Sequence, residues 1–241
     1  RDVEIFFGKT PERSLIEAAR AVNRALNKGG FPPSLSALNV SWNVIFFGDN
    51  LPGGQVPQSL MTNCHPGWMT GTSQEVNIYI RAKAVAIGCS GNSSVARGVA
   101  DEQLAQVIIH EIGHGVERVL TKGQNLSERM RAEGFATWFE QYVSDLSPLL
   151  RSKDLRGSFK DVAKRGLKYS DGSDFVFRGS FYDYAYASMY FVALEERFGT
   201  RGMFTLYDLI GSKPIMLYDA ISERFNWSRA RLEDEVQKIL K

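Results

Sequence analysis

Histidine is scarce in this sequence: three residues in 241, at positions 65, 110 and 114. Cysteine is scarcer, with only Cys64 and Cys89, both far in sequence from the His110/His114 pair. That argues against a closed structural zinc site, which prefers cysteine-rich donor sets. Charge of one sign is not in excess; the net charge of +2 implies no polyanionic partner. No apolar run approaches the roughly 20 residues that a bilayer span needs. Low-complexity segments and internal repeats are missing too. What is present is an ordinary globular composition, 44% apolar and 23% charged, in a chain long enough for one substantial core.

The chain opens on Arg1-Asp2-Val3 rather than methionine, so processing that removed a leader is the expectation. Four N-x-S sequons, at Asn39, Asn92, Asn125 and Asn226, favour a secretory route. In a secreted protein Cys64 and Cys89 would most simply pair; in a cytosolic one they would stay reduced. A secreted or extracytoplasmic location is the expectation.

Along the chain, Val3 to Phe7 is a short apolar run ending at Gly8 and reads as a strand. Residues 11 to 28 carry Leu15, Ala18, Ala19, Val22 and Leu26 at helical spacing, stopped by Gly29-Gly30. Leu38 to Phe47 reads as a second strand and Val76 to Ile80 as a third, with loops expected over 49–74 and 88–98. Asp101 to Leu120 is the strongest helix, with Ala105, Ile108, Ile112, Val116 and Val119 in one apolar stripe. Ser127 to Leu146 predicts another helix and Tyr182 to Phe198 a very aromatic one. Residues 147 to 180 are mixed and basic, and two or three helices finish the chain around Pro214. The order implies an α+β fold: one domain over 1–241, with an N-terminal α/β sublobe (1–121) holding a small mixed sheet and a mainly helical C-terminal sublobe (122–241).

Two of the three histidines fall inside the strongest helix, as His110-Glu111-x-x-His114. Histidines four apart project from one side of a helix, and both can reach one ion at about 2.0–2.1 Å. Glu111 is rotated off that line and can act as a general base toward water. The alternative is two ordinary histidines on an amphipathic helix. Against it, Gly113 and Gly115 interrupt that helix at a cost of about 1 kcal/mol each, which suggests close packing or binding nearby. A catalytic zinc takes three protein ligands and one open position. A third histidine at the end of a longer motif fails, because Glu117 and Leu120 occupy the glycine and histidine positions. That leaves a carboxylate. Glu133, nineteen residues after His114, is within reach of a returning antiparallel helix, which Gly134 would let approach closely. A surface glutamate is the alternative.

The stretch His110-Glu111-x-x-His114, eighteen residues, then Glu133-Gly-Phe-Ala resembles the gluzincin metallopeptidases, in their aminopeptidase-N-like and peptidase MA-like branches. The resemblance implies a zincin-like metalloprotease catalytic domain with Glu133 as third ligand of one catalytic Zn²⁺. It implies a supporting role for Glu140, with Thr137 a weaker candidate. The segment Tyr184 to Gly199 is similar to the helix carrying that family's catalytic tyrosine, which places it at Tyr184. Tyr182 and Tyr186 are neighbours, and a core-filling tyrosine is the alternative. The match spans roughly residues 100 to 240. The GxMEN-type stretch that aminopeptidases use to hold a free amine is missing, and Ala187 stands where many relatives have glycine. An endopeptidase is therefore expected over an exopeptidase.

The expected partner is a protein or peptide in extended form, paired along the Val76–Ile80 strand taken as the sheet edge. Nucleic acid and a membrane span are not expected, and the chain is read as a monomer. Cys64 and His65 belong to a loop read as disulfide-tied surface or as a wall of the cleft. The seven Lys/Arg between Arg151 and Lys168 are read as a solvated helix face. The competing functional class is a zincin-fold binding module that keeps the metal without catalysis.

Overall fold

The computed structural model describes residues 4–6, 12–27, 30–32, 41–47, 67–72, 74–81, 101–124, 127–147, 154–167 and 175–241. Cys64, His65, Cys89 and the sequons at Asn39, Asn92 and Asn125 lie outside the described residues, as does the loop expected over 88–98.

The N-terminal half is strand-bearing and the C-terminal half helical, an α+β arrangement. Strand β1 (Glu4–Phe6) runs into helix α1 (Glu12–Asn27) and then β2 (Ser41–Phe47), followed by β3 (Gly67–Gly71) and β4 (Glu75–Arg81). The sheet order is β1-β2-β4-β3, with β1, β2 and β4 parallel and β3 antiparallel to β4. Two expectations are corrected here. The loop expected over 49–74 contains β3. Consequently β4 is an interior strand, hydrogen-bonded on both sides, and β1 and β3 are the edges among the described residues. The sequence Gly-Trp-Met-Thr-Gly begins and ends on glycine, which strands disfavour; its register with β4 runs from Gly67 opposite Ile80 to Gly71 opposite Val76.

Alternation along β4 is clean. Val76, Ile78 and Ile80 are fully buried, while Asn77 and Tyr79 on the other face are partly exposed, with Trp68 stacked on Tyr79 at 5.3 Å. Against β3 and β4 packs helix α2 (Asp101–Leu120), whose bounds match the sequence expectation at both ends. Its stripe Ala105, Ile108, Ile112, Val116 and Val119 is buried throughout.

Helix α3 (Arg129–Ser144) returns antiparallel after a short turn, and α4 (Leu155–Leu167) follows. The segment expected to be mixed over 147–180 therefore holds a helix. Leu155, Phe159, Val162 and Ala163 line its buried side, and the Asp154 carboxylate accepts the Gly157 N–H at 2.8 Å at its start. Helix α5 (Phe181–Ile210) is longer than the expected Tyr182–Phe198 span. Ser180 and Asp183 cap it reciprocally, and its helical geometry breaks at Gly199, where φ is 70°. The expected stop is thus a kink, after which the helix resumes. Helices α6 (Leu217–Phe225) and α7 (Arg229–Leu240) close the chain; Asn226, exposed between them, takes the left-handed conformation at φ 54°. No described helix is long and apolar enough to cross a membrane.

Two glycines set how closely the central helices approach. At Gly113 of α2, an added Cβ would lie 3.0 Å from the Ala136 Cα of α3. At Gly134 of α3 it would lie 2.8 Å from the Ala187 carbonyl oxygen of α5. Gly134 was expected to admit α3 against α2. It admits α5 instead, and Gly113 serves the α2 contact. Beneath the α2–α3 turn, Arg131 is fully buried and donates to Glu117 at 2.6 Å, to Glu128 at 3.0 Å and to the Gln124 carbonyl at 3.2 Å. Glu128 also accepts the Leu217 N–H at 2.8 Å, which ties the start of α6 into the same knot.

Candidate metal centre

The α2–α3 hairpin brings the sequence-predicted ligands together. Glu133 Oε2 lies 3.2 Å from His114 Nε2 and 3.5 Å from His110 Nε2. The two imidazoles meet edge to face, centroids 4.9 Å apart. One donor atom from each of the three residues falls within 4.8 Å of the others, the one such group among the described residues. Donors around a tetrahedral zinc at about 2.0–2.1 Å stand about 3.3 Å apart. The two contacts to Glu133 bracket that value, and two imidazole nitrogens with one carboxylate oxygen are a donor set for a catalytic zinc. The residues present fit the ion.

Glu140, two turns further along α3, faces the opposite nitrogen of the first histidine: His110 Nδ1 lies 3.4 Å from its Oε2. A carboxylate there orients the ring and, once the ring gives up one proton, keeps the other on Nδ1 and leaves Nε2 to ligate. Burial pushes the His110 imidazole down, but Glu133, Glu140 and Glu111 outweigh it and raise it to about 10. Burial pushes the Glu133 carboxyl up, and the two histidines more than reverse this, holding it well below the usual carboxylate range. Thr137 is buried, and its hydroxyl has no hydrogen-bond partner among the described residues.

Glu111 is only 5% exposed, and its Oε2 has no hydrogen-bond partner among the described residues. Burial holds its carboxyl above the ordinary range, against the pull of both histidines. It sits beneath β3: a Cβ built on Gly67 would come within 2.8 Å of its Cγ and Oε1.

Of the three tyrosines considered, Tyr184 faces the centre. Its ring lies 6.4 Å from that of His110, and its hydroxyl interacts with both Glu133 and Arg129. Tyr186 turns away and donates to Glu233 of α7 at 2.8 Å, and Tyr182 packs at Gly166 of α4. Burial, and then the Glu133 charge, push the Tyr184 phenol up to about 12, so it stays a donor at neutral pH.

Sequence reasoning missed two residues here. Arg129, one turn before Glu133, lies 3.9 Å from Glu133 Oε1 and 5.8 Å over the Phe177 ring. The i,i+4 spacing to Glu133 was the available signal. Gly67 had none, since only the fold brings β3 over Glu111. Comparison with family models, with curated proteins and with solved structures finds no match to this chain.

Proposed function

We propose that this chain is a zinc-dependent metallopeptidase of the gluzincin type, with a zincin-like catalytic domain, cleaving within extended protein or peptide substrates. The observation that carries the reading is the approach of one Glu133 oxygen to both Nε2 atoms of the His110/His114 pair. His110, His114 and Glu133 would hold the ion, which would supply a Lewis acid and lower the pKa of a water toward 7. Glu111 takes the proton from the water that attacks the peptide carbonyl and passes it to the leaving amine. Its burial beside the centre, which raises its carboxyl, suits it to hold that proton in transit. Tyr184 donates a hydrogen bond to the carbonyl oxygen as negative charge develops there. The substrate backbone pairs with the outer edge of β3, gaining hydrogen bonds that carry little sequence preference. The lack of a built site for a free α-amine in the sequence favours internal cleavage.

Glu111→Gln tests the assignment. It keeps the shape of the side chain and removes the base. Zinc content is expected to match wild type, while hydrolysis of labelled casein falls about 10²–10⁴-fold. Wild-type hydrolysis should vanish with chelator and return with zinc. A Glu111→Gln variant that cleaves at the wild-type rate refutes the mechanism. A wild-type chain that binds zinc and cleaves nothing is the binding module instead.

A further inference from the structure

We propose that Gly67 is a positioning residue that seats the Glu111 carboxylate: its missing side chain is the space into which Glu111 folds. This rests on the peptidase reading and adds a residue to it. The three atoms nearest a Cβ built at position 67 all belong to Glu111: Cγ and Oε1 at 2.8 Å and Cδ at 3.1 Å. Real Cβ atoms do not approach that closely, so something must move.

The surroundings decide what moves. Gly67 is buried, and β3 is held by its ladder to β4, with Gly67 opposite Ile80 and the adjacent Trp68 stacked on Tyr79. On the other side the backbone of α2 is fixed by Ile108, Ile109 and Ile112, all buried. Between these two walls the soft part is the Glu111 side chain, with three rotatable bonds. No hydrogen bond to Oε2 opposes its displacement among the described residues. The strand therefore supplies a steric wall that helps place the carboxylate. None of the three nearest atoms belongs to His110, His114 or Glu133, so the first contact of an added methyl group is with the base and not with the ion's donors. A methyl group at 67 therefore moves the base without unloading the metal. Since β3 is also the strand edge assigned to substrate, its first residue sets the base while the rest of it holds the peptide.

The test is Gly67→Ala, with zinc affinity measured by chelator competition and kcat and KM on a quenched fluorescent peptide that the wild type cleaves. The expected result is a kcat lowered about 10²-fold or more, as for a displaced general base, with KM and zinc affinity within about twofold of wild type. Glu111→Ala removes all three clashing atoms, Cγ, Cδ and Oε1. Adding Gly67→Ala to it should then cost little further thermal stability, where a general weakening of β3 would cost the same in both backgrounds. If Gly67→Ala does not fold, recovery of folding on adding Glu111→Ala supports the seat, and failure to recover overturns it. A Gly67→Ala kcat near wild type, or a loss of zinc that parallels the loss of activity, also overturns it. Crystal structures of the wild type and Gly67→Ala separate the two readings. A wild type that neither binds zinc nor cleaves ends the peptidase assignment, while an unmoved Glu111 in the variant ends this inference alone.

Discussion

Replacing Gly134 with alanine sets two effects of opposite sign against each other. Inside an exposed helix, Gly→Ala stabilises by about 1 kcal/mol through backbone entropy. Here the new Cβ would stand 2.8 Å from the Ala187 carbonyl oxygen and 3.0 Å from its carbonyl carbon and Cβ. Those atoms are backbone or fixed to it, so no rotamer change relieves the contact. Helices α3 and α5 must separate by about 0.5 Å to restore ordinary packing. Overpacking of this kind costs about 1–3 kcal/mol, and a backbone obstacle belongs in the upper half of that range. The net expectation is a loss of about 1–2 kcal/mol, or a fall in Tm of about 3–6 °C for a chain of this size. The separation also has a functional signature. Glu133 rides on α3 and Tyr184 on α5, while both histidines ride on α2. Zinc affinity should hold while kcat falls. Thermal unfolding and zinc titration of the same sample check both halves. A Gly134→Ala protein more stable than wild type by about 1 kcal/mol would refute the close approach on which this reasoning depends.

Two further outcomes are expected. Arg131→Met leaves Glu117 and Glu128 buried without their cation and should lower the urea-derived unfolding free energy by about 3–5 kcal/mol; a loss under about 1 kcal/mol would show that the knot is not holding the turn. The His110 imidazole, raised to about 10, carries its proton at pH 7, so an entering ion must displace it. Apparent zinc affinity should therefore climb about tenfold per pH unit from pH 6 to 8. Calorimetry in buffers of different ionisation enthalpy should register about one proton released per ion at pH 7, and no release would contradict the assigned protonation.

Helix α2 was legible in the sequence at both ends, because a long apolar stripe at 3.6-residue spacing leaves no competing pattern. The approach of Glu133 to the histidines and the facing of Tyr184 followed from spacing and resemblance, and the structure brings those side chains together. The sheet was read less well. β3 is five residues long with glycine at both ends, a weak local signal, and its place in the sheet is defined by the ladder to β4. Missing β3 made β4 look like the edge. Helix α4 was obscured by the seven basic residues in its neighbourhood, which hide a four-residue buried stripe. The seat at Gly67 depends on contacts between residues 44 positions apart, which no local pattern encodes.

The knot around Arg131 has a bearing on how such a protein matures. It ties the end of α2 to the start of α3 about one turn from His114 and two residues from Glu133. The hairpin is thus braced by its own ion pairs and core. Small zinc modules take their shape only on loading. This chain would instead form its socket first and be charged afterwards, so chelation should return a folded, refillable protein rather than an unfolded one.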